Sequence, residues 1–232
     1  MMYSKKVLVI AAHPDDEILG CGGTIAKHIQ KGDTVNVSIL AEGATSRDNS
    51  RDSEKRKLEL SQLAQAAYKA GEILGISSLS LHNLPDNRLD SCDLLDITKI
   101  IESEISKYKP EIIYTHHSGD LNIDHQRVHQ SVVTAARPLP ESHVKTLLFF
   151  ETPSSTEWQT FGSALPFMPN WFNDISETLV LKLKALEAYE SEMRSYPHPR
   201  SIEAVEYLAR WRGATVGVKA AEGFILGRKL IN

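Results

Sequence analysis

The feature that most constrains the fold is an apolar run near the start of the chain that ends abruptly in charged residues. Val7 to Ile10 are consecutive large aliphatic residues, and two alanines then lead into His13-Pro14-Asp15-Asp16-Glu17. A short, fully apolar run of this kind is typical of a strand buried on both faces of a parallel sheet. Ligands bind outside the carboxyl ends of such strands, so the sequence predicts a functional site where this strand ends.

The chain as far as residue 150 alternates between strand-like and helix-like segments. Apolar or β-branched runs predict further strands at 35–40, 76–84, 112–115 and 147–150. Helical spacing of apolar residues predicts helices at about 17–31, 53–74, 91–108 and 124–136. Ser91 and Asp124 are the predicted N-caps of the last two helices. Because this alternation implies right-handed crossovers, we expect a three-layer, Rossmann-like α/β fold with a mostly parallel sheet and helices on both faces.

Beyond residue 150 the pattern changes. The stretch 152–173 carries three prolines and five aromatic residues, which predicts a long loop that forms either a wall of the substrate pocket or an oligomer contact. Helices are predicted from about 174 to 193 and from 202 to a stop at Gly213. We expect a single domain over 1–232, with a helical extension from about 174.

Composition excludes several classes of function. The net charge is −4 without a basic tract, which argues against nucleic acid or an anionic membrane as a partner. No segment resembles a signal peptide or a membrane span, so a cytoplasmic location is expected. Cys21 and Cys92 lack metal-binding or CxxC spacing, and neither a disulfide framework nor a thiolate metal site is predicted.

A second cluster of histidine and acid follows the strand at 112–115, in Asn122-Ile123-Asp124-His125. A catalytic zinc site takes three protein ligands and keeps one position open for water. His13, Asp16 and His125 supply such a set. His129, four residues after His125, is an alternative ligand on the same helix. Acids placed against a helix dipole would explain Asp15 to Glu17 alone, but not the two histidine clusters together.

These two clusters resemble the motifs of the PIG-L/LmbE-like family of zinc-dependent N-deacetylases. The resemblance rests on Ala12-His13-Pro14-Asp15-Asp16-Glu17 and on Asp124-His125 at the head of a later helix. It implies one Zn²⁺ per chain, bound by His13, Asp16 and His125. It further implies that Asp15 is the general base and that Asp124 is a supporting catalytic residue. The implied reaction removes an acetyl group from an N-acetylglucosamine-like amino sugar or its conjugate, releasing acetate and a free amine.

One position departs from the family pattern. Many members carry a histidine three residues before the ligand histidine, and this chain has Asn122 there. An asparagine amide can donate a hydrogen bond to an oxyanion, but it cannot deliver a proton at neutral pH. The general acid is therefore open between Asp15, once protonated, and three histidines without motif support, namely His116, His117 and His198.

Polar loop residues at the same predicted sheet edge are candidates for substrate binding. Arg47, Arg51, Asp86, Arg88 and Asp120 could bind sugar hydroxyls or a diphosphate. The stretch 44–53, which contains the first two, is predicted to be a mobile loop over the site.

Other functions remain open from the sequence. Gly20-Cys21-Gly22-Gly23 and Glu42 suggest a dinucleotide-binding fold, but these glycines come too late after the strand and Ile25 occupies the position of the third glycine. An amidase for a larger acyl group would use the same metal chemistry. A non-catalytic metal-binding or sugar-binding protein on the same fold is also possible, as is a homo-oligomer.

Overall fold

Over residues 4–231, which a computed structural model describes, the protein forms one seven-stranded sheet covered by six helices. The strands are β1 (Lys6–Ala11), β2 (Thr34–Ala41), β3 (Ser78–Leu84), β4 (Ile112–His116), β5 (Thr146–Phe150), β6 (Trp171–Asp174) and β7 (Ala221–Lys229). The helices are α1 (Asp16–Gln30), α2 (Lys57–Leu74), α3 (Leu94–Tyr108), α4 (Ile123–Ala135), α5 (Leu179–Glu187) and α6 (Ile202–Ala214).

The strand order is β3-β2-β1-β4-β5-β7-β6. The first five of these strands are parallel, and β7 runs antiparallel to both of its neighbours. The predicted mostly parallel α/β sheet is confirmed. From β1 the chain winds outward through β2 and β3, then crosses back so that β4 lies on the other side of β1. The carboxyl ends of β1 and β4 therefore meet at the switch point, where ligands of such sheets bind.

Two apolar layers hold the helices against the sheet. Along β1, Val7 and Val9 pack towards α1, α2, α5 and α6, whereas Leu8 and Ile10 pack towards α3 and α4. This alternation follows from the two-residue period of a strand. Both faces of β1 are fully buried, which explains why its sequence reads as a continuous apolar run.

Several predicted boundaries need correction. The second helix begins at Lys57 and not at residue 53, and the third follows Asp93, so Ser91 is not its cap. The helix predicted from 174 to 193 is shortened to Leu179–Glu187: Asp174 is the last residue of strand β6, and turns occupy 176–178 and 188–192. Helix α6 continues through Gly213 to Ala214.

Strands β6 and β7 are the elements that the sequence does not reveal. Gly223 and Gly227 interrupt the apolar residues of β7, and side chains pack closely against both. A Cβ atom at Gly227 would lie 2.5 Å from the ring of Phe149 on β5.

Within residues 4–231, no helix is both long and apolar enough to cross a membrane.

Candidate metal centre and active site

The turn after β1 brings the first motif to the switch point. Asp15 has φ 109° and ψ −30°, an unusual backbone conformation for a residue other than glycine. Its carbonyl oxygen accepts the N–H groups of Ile18 and Leu19, so α1 begins immediately after it. The carboxylate of Asp16 turns back to accept the N–H of His13 at 2.9 Å.

The three predicted metal ligands converge. Oδ2 of Asp16 lies 3.2 Å from Nδ1 of His13 and 3.2 Å from Nε2 of His125. Tetrahedral ligands about 2.0–2.1 Å from zinc would lie about 3.3 Å from one another, so these separations suit zinc. All three side chains are nearly buried. Two imidazoles and one carboxylate also form a donor set typical of catalytic zinc.

Asp124 supports His13 from behind. Its Oδ2 lies 3.1 Å from Nε2 of His13, the ring nitrogen that faces away from Asp16. The same carboxylate accepts the N–H groups of Asn87 and Leu89 at 2.7 and 2.9 Å, and it is fully buried. With both oxygens engaged, Asp124 is suited to orient the imidazole, as carboxylates behind metal-binding histidines commonly do.

Asp120 stands in the same relation to His125. Oδ1 of Asp120 lies 3.0 Å from Nδ1 of His125, and the carboxylate also accepts the hydroxyls of Ser155 and Thr156. Burial lowers the pKa of His125, but the carboxylates of Asp16 and Asp120 outweigh this effect and raise the pKa to about 9. Asp120 is completely buried and does not line the pocket, so in this structure it lies against His125 and not at the surface where a substrate was expected to bind.

His129 lies outside the metal cluster. Its Nδ1 lies 2.9 Å from the carbonyl oxygen of His116, and its ring packs against Phe149 with centroids 4.5 Å apart. It therefore faces the sheet and not the pocket, although it is one turn after His125.

The three histidines considered as general acids are also engaged elsewhere. Nε2 of His116 accepts the N–H of Ala12 at 2.9 Å, and burial lowers the pKa of His116 well below its ordinary value, so the ring is neutral. Nε2 of His117 lies 2.8 Å from the carbonyl oxygen of Leu165. Nδ1 of His198 accepts the N–H of Arg200 at 3.0 Å.

Asp15 lies beside the three ligands with its carboxylate almost fully buried. Burial and the neighbouring carboxylate of Asp16 raise the pKa of Asp15 to about 7, against the opposing effect of Arg200. Nη1 of Arg200 contacts Oδ2 of Asp15 at 3.1 Å. Within residues 4–231, Oδ1 of Asp15 has no hydrogen-bond partner, so one oxygen is free to exchange a proton.

Asn122, and not Asp124, caps α4. Its Oδ1 accepts the N–H of Asp124 at 2.8 Å, and its Nδ2 donates to Oδ1 of Asn87 at 2.8 Å. Asn122 lines the pocket, but only one of its amide hydrogens remains available to a ligand.

The pocket over this cluster has a volume of about 160 Å³. Of the residues expected to bind substrate, Arg47 and Asp86 line it, whereas Arg51, Arg88 and Asp120 do not. Arg51 instead pairs with Glu42. A larger cavity of about 590 Å³ lies at the amino ends of β1, β4 and β5, and none of the predicted site residues lines it.

The loop 44–53 is tied to the pocket by polar contacts. Both Nη2 bonds of Arg47 go to the carboxylate of Glu192, at 2.7 and 2.8 Å. The N–H of Ser46 donates to Asp86 at 3.0 Å. Glu192 and Arg200 are pocket residues that the sequence does not reveal, because both come from the C-terminal part of the chain and neither belongs to a motif.

Comparisons with known proteins identify relatives of this chain. A family model described as GlcNAc-PI de-N-acetylase, PIG-L, matches residues 8–136. An uncharacterized deacetylase of Escherichia coli K12, YaiS, is 32% identical over 193 residues, covering 81% of this chain and 91% of that protein. A diacetylchitobiose deacetylase of Thermococcus kodakarensis is 28% identical over 232 residues, covering 94% and 82%.

The fold also serves a different reaction. The crystal structure of a 4-carboxy-2-hydroxymuconate hydratase from Pseudomonas putida KT2440 superposes with a TM-score of 0.76 at 21% identity, covering 98% of each chain. Similarity at this level concerns the fold alone. The activity must therefore be argued from the side chains of the site.

Proposed function

Because this chain belongs to the PIG-L family, we propose that it is a zinc-dependent N-deacetylase acting on an amino sugar or its conjugate. The observation that carries the proposal is the convergence of His13, Asp16 and His125 beside Asp15 in one pocket. A protein that only binds a metal or a sugar has no need of a free carboxylate oxygen next to the ligand cluster, whereas hydrolysis requires a base there.

One zinc ion per chain is proposed, with His13, Asp16 and His125 as its ligands. Bound there, zinc would act as a Lewis acid towards the acetyl carbonyl and the attacking water. Asp124 and Asp120 would hold the two imidazoles in the orientation that binding requires, through the ring nitrogens that face away from the metal.

Asp15 would move the proton. Its free Oδ1 accepts a proton from the water that attacks the acetyl carbon, while Oδ2 stays on Arg200. The same oxygen then gives the proton to the sugar nitrogen as the C–N bond breaks, so that acetate and an amine leave. A single carboxylate serves as base and then as acid, which suits a site whose three candidate histidines are otherwise engaged.

The size of the pocket supports a small N-acetylated group as the part of the substrate that is enclosed. Complete small-molecule pockets are usually about 300–1,000 Å³, and this one is about 160 Å³. It therefore suits the acetamido sugar unit, with any conjugate outside. Relatives named for diacetylchitobiose and for N-acetyl-α-D-glucosaminyl L-malate support an amino sugar. Nucleic acid is not a proposed partner, and homo-oligomerisation and a cytoplasmic location remain predictions.

An amine-release assay tests this proposal. The zinc-loaded protein is incubated with N-acetylglucosamine, diacetylchitobiose and longer-chain N-acyl glucosamines, and free amine and acetate are measured. We expect release of both products in equal amounts from at least one acetylated sugar. Asp15→Asn should retain zinc but lose about 10²- to 10⁴-fold in turnover, because an amide cannot take the proton. Cleavage of only the longer acyl groups would instead identify an amidase of broader acyl specificity.

A further inference from the structure

Arg200 reaches the pocket from the connector between α5 and α6, outside the segment that the family model covers. Its backbone is fixed on both sides. The N–H of Arg200 donates to Nδ1 of His198, and the next residue, Ser201, caps α6 by accepting the N–H of Ala204 at 3.0 Å. Ser201 is fully buried. These contacts place the backbone of Arg200 beside the start of α6.

The guanidinium group of Arg200 is only partly engaged by protein. Nη1 contacts Asp15 at 3.1 Å, and Nε donates to Oγ of Ser154 at 2.7 Å. Within residues 4–231, Nη2 has no hydrogen-bond partner. The side chain is 33% exposed and lines the pocket. The two N–H groups of Nη2 are thus available to a ligand next to Asp15.

Amide hydrolysis is accelerated by a hydrogen-bond donor beside the reacting carbonyl, in addition to the metal, because the acetyl oxygen becomes negative as water attacks. Two side chains with a permanent positive charge line the described pocket, Arg47 and Arg200. Arg47 is committed to the carboxylates of Glu59 and Glu192, and Asn122 has one free amide hydrogen. Arg200 is therefore the better equipped donor.

We propose that Arg200 is a catalytic residue, which fixes Asp15 through Nη1 and donates through Nη2 to the acyl oxygen as negative charge develops. The inference rests on the proposed deacetylase function. Arg200 exchanges no proton in this role: it orients the base and stabilises the tetrahedral state. Burial lowers the pKa of Arg200, but the carboxylates of Asp15 and Asp16 outweigh this effect and raise it, so the guanidinium stays charged.

The kinetic test compares Arg200→Ala and Arg200→Lys with Arg194→Ala. Arg194 lies in the same connector, but its exposed side chain bonds only to the backbone oxygens of Ser191 and Met193. We expect Arg200→Ala to lower kcat by about 10²- to 10³-fold, the effect of losing one oxyanion donor, with KM changed less than about threefold. Arg200→Lys should lose less, and added methylguanidinium should restore part of the Arg200→Ala rate. Arg194→Ala should match the unmodified protein.

A binding measurement separates this inference from the proposed function. Methylphosphonate is a small tetrahedral anion whose affinity for the zinc-loaded protein does not depend on turnover. We expect its affinity to fall about tenfold in Arg200→Ala and to be unchanged in Arg194→Ala. Equal affinity in Arg200→Ala and the unmodified protein, or a loss confined to KM in the kinetic test, would overturn the role of Arg200. If methylphosphonate affinity falls in Arg200→Ala but the unmodified protein releases amine from no substrate, the deacetylase function alone would be overturned.

Discussion

Asp15 joins two requirements in a single residue. Its carboxylate must lie between the proposed metal ligands and Arg200, and its backbone must turn the chain from β1 into α1 within one step. The second requirement is met at φ 109°, where a side chain normally clashes with its own backbone. Strain of this kind is concentrated at functional sites, where surrounding contacts hold it in place.

Comparison of Asp15→Gly with Asp15→Ala measures that strain. Both changes remove the carboxylate, but only glycine adopts this conformation without strain. We expect the glycine variant to be more stable by about 1 kcal/mol in the free energy of unfolding, measured by chemical denaturation without metal. Lys69 on α2 is an exposed helical position and serves as the control. There the alanine variant should be more stable than the glycine variant. An alanine variant as stable as glycine at position 15 would contradict the backbone conformation.

The two histidines of α4 provide a second comparison of single residues. His125→Ala should remove most of the zinc, because it deletes one of three ligands, whereas His129→Ala should leave the zinc content unchanged. Zinc per chain is measured in the purified variants, and circular dichroism checks that both remain folded, as expected for a site outside the apolar core. Retention of stoichiometric zinc by His125→Ala would exclude the proposed ligand set.

At the scale of whole elements, helix α1 is interrupted in its middle. Cys21 has φ −149°, so the helix is interrupted there and its second half has a new amino end. The carboxylate of Glu222 on β7 accepts the freed N–H groups of Gly23 and Thr24 at 3.0 and 2.7 Å. Lys182 on α5 pairs with the same carboxylate at 2.6 Å.

The glycines around this break serve packing and not nucleotide binding. A Cβ atom at Gly20 would lie 2.3 Å from the ring of Phe150 on β5. Glu42, the other residue that suggested a dinucleotide, is held by Thr45 and Arg51.

Removal of Glu222 should loosen three elements together. The Lys182 side chain is only 4% exposed. Glu222→Ala leaves its ammonium group without a counter-ion, and two helix N–H groups lose their acceptor. We expect the free energy of unfolding to fall by about 3–5 kcal/mol in chemical denaturation. The exposed pair of Arg210 and Glu206 is the control, since Glu206→Ala should cost about 0.5 kcal/mol or less. A loss at Glu222 no larger than at Glu206 would refute this role.

For the molecule as a whole, the sequence predicts the five parallel strands of the sheet and the His and Asp cluster at their carboxyl ends. It predicts neither the antiparallel strands β6 and β7 nor the place of Arg200 in the pocket. Val7 to Ile10 and the His13 motif are contiguous, so local pattern and chemistry indicate the same place. In β7, Gly223 packs against Pro169 and Gly227 against Phe149. These contacts are distant in sequence, so no local pattern predicts them. Arg200 meets Asp15 across 185 residues of sequence, and only the folded chain brings the two together.

The position of β7 also sets the order in which the molecule can be completed during synthesis. Among the described strands, β6 pairs with β7 alone, and β5 has β4 as its one neighbour until β7 is made. Until then the apolar strand Thr146–Phe150 is an open edge, and such edges pair readily with other chains. The ribosome must therefore deliver residues 221–229 before this edge is covered, so we expect a translation product that ends before β7 to aggregate more readily than the full chain.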